Sequence, residues 1–433
     1  MVRKGIFLLV TVLIGVFVFV STVNVYANDL DLILRILLRK GIITEKEYQE
    51  LKKELESKKV AGAGEPAKGQ NVQKEDGVLP ETISLSGSIY GEYRWVKNRE
   101  ITDAETDSTS DLYLRKIELG VEAKLIDWIT ASAVFNSEWI GDDVNQGDEK
   151  VAVDEATVTL QEEAFPFYLV AGKRTQPFGV FENHLITDPM TQDAYETKRV
   201  GITAGYTGPL GLDVSVTVYK GEEQMDHLFE SGLFSDTVSR AGEATDDLGS
   251  YIVSVSVEPL DSVVLFGGYL SEPGRGTRNQ TVNAGVSFLP PFIDGLRFDA
   301  EYMKAIDREK YSGTDRQYKE GVFSATIAYE FVLRQRNVIG GGLFSERRAH
   351  LINEPLEVAL RYEHFDDDGM SEELGVWTVR DRYSAGARYS FYNDEERGFN
   401  AFVAGEYRRT EYRTQADMKD GNDEVYLRIG VDF

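Results

Sequence analysis

The chain has 433 residues, 40 glycines, 22 tyrosines, 22 phenylalanines, no cysteine and a formal net charge of −26. Its mean hydropathy of −0.30 excludes a bundle of membrane helices, each of which needs about 20 apolar residues in a row, but not a β-barrel, whose strands turn only alternate side chains to lipid. The acidic balance argues against nucleic acid and anionic lipid surfaces as partners, and the lack of cysteine removes disulfides and thiolate metal sites.

Arg3 and Lys4 precede an apolar run from Gly5 to Val20, and Val25-Tyr26-Ala27 has the small-x-small form of a cleavage site. Residues 1–27 therefore read as a secretory signal peptide, with an uncleaved anchor as the alternative. Cleavage removes two positive charges and no negative ones, so a mature chain starting at Asn28 is more acidic still. Residues 28–60 carry Leu30, Ile33, Leu34, Leu37 and Leu38 at helical spacing, then a capping pair, Thr44 and Glu47, before Tyr48, Leu51 and Leu55. This short periplasmic helical segment either packs on itself or associates between protomers. Residues 61–82, rich in Gly, Ala, Lys and Gln, read as a flexible linker.

From residue 83 to 433 the period becomes two. Leu212, Val214, Val216 and Val218 alternate with Asp213, Ser215, Thr217 and Tyr219, and Leu356, Val358, Leu360 and Tyr362 with Glu357, Ala359, Arg361 and Glu363. Many segments approach the ~10 residues of a tilted membrane strand, and aromatics such as Tyr93, Trp95, Trp128 and Trp139 gather at their ends. The expected fold is an all-β membrane protein, an antiparallel transmembrane β-barrel of sixteen strands running from 83–95 to 423–433. If the first strand enters from the periplasm, odd-to-even connections are outer loops and even-to-odd ones are short turns. Six of the seven turns are short; the exception is Val332 to Glu354, between segments 320–331 and 355–365. Either it holds a small helix or a strand pair is miscounted, which leaves fourteen or eighteen strands open. The chain ends in alternation, Val425, Leu427, Ile429, Val431 and Phe433, which resembles the terminal signal read by the barrel assembly machinery.

One stretch is more specific. Val153-Asp154-Glu155-Ala156-Thr157 is followed by Gly172-Lys173, then by Pro177-Phe178-Gly179, by Ile186-Thr187-Asp188-Pro189 and by Glu196-Thr197. This run resembles the hallmark of the LbtU-type siderophore porin family; its Gly-Lys-x-x-x-Pro-Phe-Gly core is also similar to phosphate-selective porins O and P. The resemblance implies an outer-membrane porin that takes up iron–siderophore complexes, with a third outer loop folded into the lumen. The residues are compatible. Pro177, Gly179 and Pro189 shape bends, and Phe178, Phe181, Leu185, Ile186 and Met190 are too apolar for a solvated loop tip. A loop packed on the rim fits as well.

In the lumen-directed arrangement Glu182, Asp188, Asp193 and Glu196 are the constriction acids. Strand parity puts Arg361, Arg380, Arg382, Arg388, Arg408 and Arg428 on the pore wall. The two sets either make a transverse field with a modest cation preference or merely pair inside a filled lumen. The histidines, His184, His227, His350 and His364, sit in no metal or nucleophile motif, and the acidic runs such as Asp366-Asp367-Asp368 read as solvated loop charge. No enzyme activity, cofactor or metal is expected. Three functions compete: a channel for small solutes, ferric siderophores among them; a phosphate or anion porin; and a structural barrel tethering the envelope through its N-terminal helices. The expected partners are outer-membrane lipid, a small solute, the barrel assembly machinery and two further copies in a homotrimer.

Overall fold

The computed structural model describes residues 80, 82–97, 108–142, 150–240, 247–340, 348–413 and 421–433. The chain divides into two units, Met1–Gly77 and Val78–Phe433; the expected signal peptide, the expected helical segment and residues 61–79 of the expected linker lie outside the described residues, while Thr82, at the linker's end, already belongs to the first strand. The second unit forms sixteen strands: β1 (Thr82–Lys97), β2 (Ser108–Ile126), β3 (Ile129–Ile140), β4 (Ala152–Gln161), β5 (Phe167–Thr175), β6 (Lys198–Thr207), β7 (Asp213–Lys220), β8 (Leu248–Leu260), β9 (Val263–Pro273), β10 (Arg278–Phe288), β11 (Leu296–Asp307), β12 (Gly321–Gly340), β13 (Arg348–Asp366), β14 (Thr378–Asp394), β15 (Phe399–Arg413) and β16 (Gly421–Asp432). Each pairs antiparallel with its neighbours in sequence, and β16 pairs with β1, closing the barrel.

The two faces follow from the alternation. Leu112, Val200, Leu360, Leu427 and Ile429 are exposed on the outer surface, while Thr203, Thr217, Glu301, Glu363, Ser384 and Glu406 on the inner parity are buried. A closed barrel leaves no unpaired strand edge. Its polar side chains then need a filled or watered lumen.

Among the described residues, the long connection after residue 331 holds no helix and no additional strand. β12 and β13 simply continue, pairing out to Gly340↔Arg348, whereas β11 follows β12 only to Tyr329 and β14 follows β13 only to Asn353. A two-stranded ribbon therefore projects from the short-turn end. The apolar alternation stops near Phe331 because it serves the bilayer, while strand pairing needs only the backbone.

Asp367 departs from the expected solvated run. It is buried, accepts Ser371 N–H at 3.1 Å and Thr378 Oγ–H at 2.7 Å, and so fixes the start of a short helix, α3 (Met370–Leu374). Two further helices lie in the longer loops, α1 (Met190–Tyr195) and α2 (Glu223–Glu230).

The last residue closes the ring. Gly87 N–H donates to Phe433 O at 2.7 Å and Phe433 N–H to Gly87 O at 3.0 Å. Deleting Phe433 should lower the yield of folded barrel, read as heat-modifiable gel mobility, well below that of a deletion of residues 78–80. Equal yields would remove the special role of this terminus.

Candidate functional site: a loop-lined opening in the barrel

The third loop, residues 176–197, leaves β5 and turns inward. Its base is closed by Gln176 N–H donating to Thr197 O at 2.7 Å. The motif glycines have physical causes. Gly172 has φ +140°, and a Cβ there would lie 2.0 Å from Ala156 O on the paired strand. Gly179 has φ +93°, and its Cβ would meet Phe181 and Met303 at 2.5 and 2.6 Å. Only glycine tolerates both the backbone and the crowding. Phe178, Ile186 and Met190 are buried, with Phe178 edge-on to Tyr195 at 6.5 Å. Lys173 donates to Val153 O at 2.8 Å.

Wall carboxylates take the loop's backbone donors. Glu301 on β11 accepts Val180 N–H at 3.1 Å and Phe181 N–H at 3.3 Å. Glu406 on β15 accepts Ile186 N–H at 2.7 Å, Thr187 N–H at 2.8 Å and Thr187 Oγ–H at 2.6 Å. Glu363 on β13 accepts Met190 N–H, and Glu320 accepts the Tyr195 hydroxyl at 3.1 Å. An irregular segment inside a barrel has orphan N–H groups that must find acceptors. Charge-assisted bonds to carboxylates are among the stronger ones available.

The opposite charge completes the docking. Arg361 donates to Asn183 Oδ1 at 3.1 Å, Thr187 O at 2.9 Å and Asp188 O at 3.1 Å. Arg382 pairs with Asp193 at 2.7 Å.

Above the loop, α2 and the chain after it pack Met225, Leu228, Leu233 and Phe234 against Phe178, Tyr311, Tyr318, Phe365 and Met370. A fully buried pair, Arg308 and Glu320, sits in the same region. This apolar core fills one side of the lumen.

The space that remains is a cavity of about 320 Å³ between the third loop and the inner faces of β1–β3 and β14–β16. Arg94, Arg115, Arg382, Arg408 and Arg428 line it together with Glu92, Glu424, Asp188 and Asp193. Glu92 accepts from the Tyr113 hydroxyl at 2.6 Å and from Arg428 Nε at 2.8 Å. Glu424 is held by Arg94 at 2.8 Å and Arg408 at 2.6 Å. Arg115 lies over the Trp139 ring at 4.2 Å and pairs with Glu138 at 2.9 Å. Burial pushes the Asp188 carboxyl up from its ordinary value, against the pull of Arg115 and Arg361.

The residues singled out from sequence divide. Asp188, Asp193, Arg382, Arg408 and Arg428 meet at the opening. Glu182 lies on the far side of the loop, near Asp299 and Glu301, and Glu196 sits at the loop's exit, accepting Thr175 Oγ–H at 3.1 Å. Arg361 is buried beneath the loop, and Arg388 lies nearer the short-turn end, paired with Asp432 at 2.9 Å. Arg380 is not on the pore wall. A bulge between Val379 and Asp381 reverses the parity, and Arg380 pairs on the outer face with Asp381 and Glu411. Glu92, Arg94, Arg115, Trp139 and Glu424 were missed. Alternation along β1 carries the signal for Glu92 and Arg94. Arg115 falls in a bulge, where Gly91 pairs with Leu114 and Tyr90 with Lys116, so strict parity cannot place it.

No protein-family model matches the sequence, and no curated protein is significantly similar to it. Solved structures do resemble the fold. OmpF of Salmonella typhi, solved with daunomycin, superposes with a TM-score of 0.56 at 15% identity, over 81% of this chain and 97% of that one. The outer-membrane channel DcaP of Acinetobacter baumannii gives 0.53 at 12%, over 81% and 97%. An anion-selective porin from Comamonas acidovorans gives 0.50 at 12%, over 81% and 98%. The fold is that of the outer-membrane porins, a closed barrel of sixteen antiparallel strands.

Proposed function

We propose that this chain is an exported outer-membrane porin, a passive channel for small polar solutes that prefers anions. What supports the preference is the imbalance of hydrogen-bonding capacity at the opening. Arg94 Nε and Arg382 Nε are buried with no hydrogen-bond acceptor among the described residues, while Glu92 and Glu424 are both engaged by arginines. The five lining arginines face four acids. This reading replaces the modest cation preference expected from the loop acids set against the arginine wall.

The sequence resemblance adds ferric siderophores to the solutes worth testing, and a wall rich in guanidinium suits anionic complexes among them. Removal of residues 1–27, recognition of Phe433 by the assembly machinery and association as a homotrimer belong to the same proposal.

Purified protein in a planar bilayer under a potassium chloride gradient is expected to give a reversal potential on the chloride side. A potential on the potassium side would overturn the preference. Absence of ion current from folded barrel would leave the structural role in its place.

A further inference from the structure

We propose that a proton on His184 fastens the third loop to the barrel wall, so that the loop is held while the imidazole is charged and loosens when it is neutral. This goes beyond solute preference, because it concerns what keeps the constriction in place. His184 lies between the stretch held by Glu301 and the stretch held by Glu406. Its Nε2 is 3.0 Å from Asp299 Oδ2 on β11, and its Nδ1 is 3.2 Å from Glu357 Oε2 on β13. Only 5% of the side chain is exposed.

A neutral imidazole carries one N–H. Placed between two carboxylates, it can donate to one and must aim a lone pair at the other. The imidazolium donates to both. Asp299 and Glu357 stand on strands separated by β12, so the charged ring links two parts of the wall to the loop at once.

The surrounding charges are mixed. Ser287 Oγ donates to Asp299. Glu357 lies opposite Arg388 in the β13–β14 register, and Arg388 and Arg428 border the same space as His184. Glu330, on β12, is close enough to Glu357 for the two to repel. Burial favours the neutral ring, but the two carboxylate hydrogen bonds outweigh it and raise the His184 pKa to about 9. Histidine in an unfolded chain titrates near ~6.5. The stabilisation is therefore complete below ~6.5 and is lost as pH rises through about 9. At neutral pH the loop is fastened; in alkali it is released.

The test uses the full mature barrel, with folding of each variant checked by heat-modifiable mobility. Bilayer currents of the wild type should be quiet at pH 7 and acquire open–closed flicker as pH passes about 9. His184→Gln should flicker at pH 7 and change little on raising the pH. His184→Lys, which keeps the charge, should stay quiet beyond the wild-type midpoint. Nuclear magnetic resonance of imidazole-labelled protein in detergent micelles gives a readout independent of conduction. One histidine should titrate near 9 and vanish in His184→Gln, and Asp299→Asn with Glu357→Gln should bring its midpoint down toward ~6.5. An alkaline response of equal size in wild type and His184→Gln, or a His184 midpoint near ~6.5, would overturn the proposal.

Discussion

Replacing Arg361 by methionine is expected to unseat the third loop, raising single-channel conductance and its noise while leaving the barrel folded. The side chain is fully buried, and its guanidinium holds Asn183 through Nη1 and both Thr187 and Asp188 through Nη2. It also faces Glu363 at 3.2 Å, a carboxylate with no exposure of its own. Removing one member of a buried pair typically costs about 3–5 kcal/mol, because the other charge is stranded. Arg361→Lys should fail to rescue, since one ammonium cannot reach the positions served by a planar fork. Arg361→Met combined with Glu363→Gln should recover part of the loss, because no lone charge remains and the glutamine oxygen can still accept Met190 N–H. The barrel survives in each case, since strand pairing around the ring does not pass through the loop. Conductance and noise unchanged in Arg361→Met would mean that the loop is held without this residue.

Neutralising Arg94 and Arg115 together, as Arg94→Gln with Arg115→Gln, should move the reversal potential toward cations. These two are chosen because neither leaves a buried acid alone. Glu424 keeps Arg408, and the Glu138 side chain is 34% exposed. A unit charge ~8 Å from a permeating ion is worth about 2 kcal/mol at an effective dielectric of ~20. The permeability ratio should therefore fall about thirtyfold or more at low salt and much less at 1 M, where screening acts within ~3 Å. Asp188→Asn with Asp193→Asn should shift the potential the other way. Asp315→Asn, at a side chain 99% exposed, should do almost nothing. Equal shifts from the loop pair and from Asp315 would mean that the 320 Å³ opening does not set selectivity.

The barrel was legible because the bilayer imposes a binary pattern on every strand, and only that pattern was needed to place β1 through β16. Where the pattern serves something else, the reading fails. The ribbon formed by the ends of β12 and β13 obeys backbone pairing without a lipid-facing face. Bulges at Arg380 and Arg115 slip parity by one, which sends a side chain to the opposite surface. Asp188 and Asp193 were found because they sit in a loop too apolar to be solvated. Glu182 and Glu196 share that loop but point elsewhere, and nothing in residue order tells which way a turn of irregular backbone faces. The filling of the lumen by α2 went unread, although Met225, Leu228 and Phe229 stand at helical spacing. The docking acids Glu301, Glu363 and Glu406 lie far along the chain from the backbone they hold.

The charges at the opening have a second office. Arg428 with Glu92, and Arg94 with Glu424, each join β16 to β1, and the Tyr90 hydroxyl reaches Asp432 across the same junction at 2.7 Å. That junction is where the two ends of the strand series meet. The guanidiniums that would greet a passing anion thus also act as the clasp of the ring. A variant stripped of them to admit cations would have to fasten its final joint with backbone bonds and the Tyr90–Asp432 contact alone, so solute preference and ease of closure cannot be adjusted independently in this barrel.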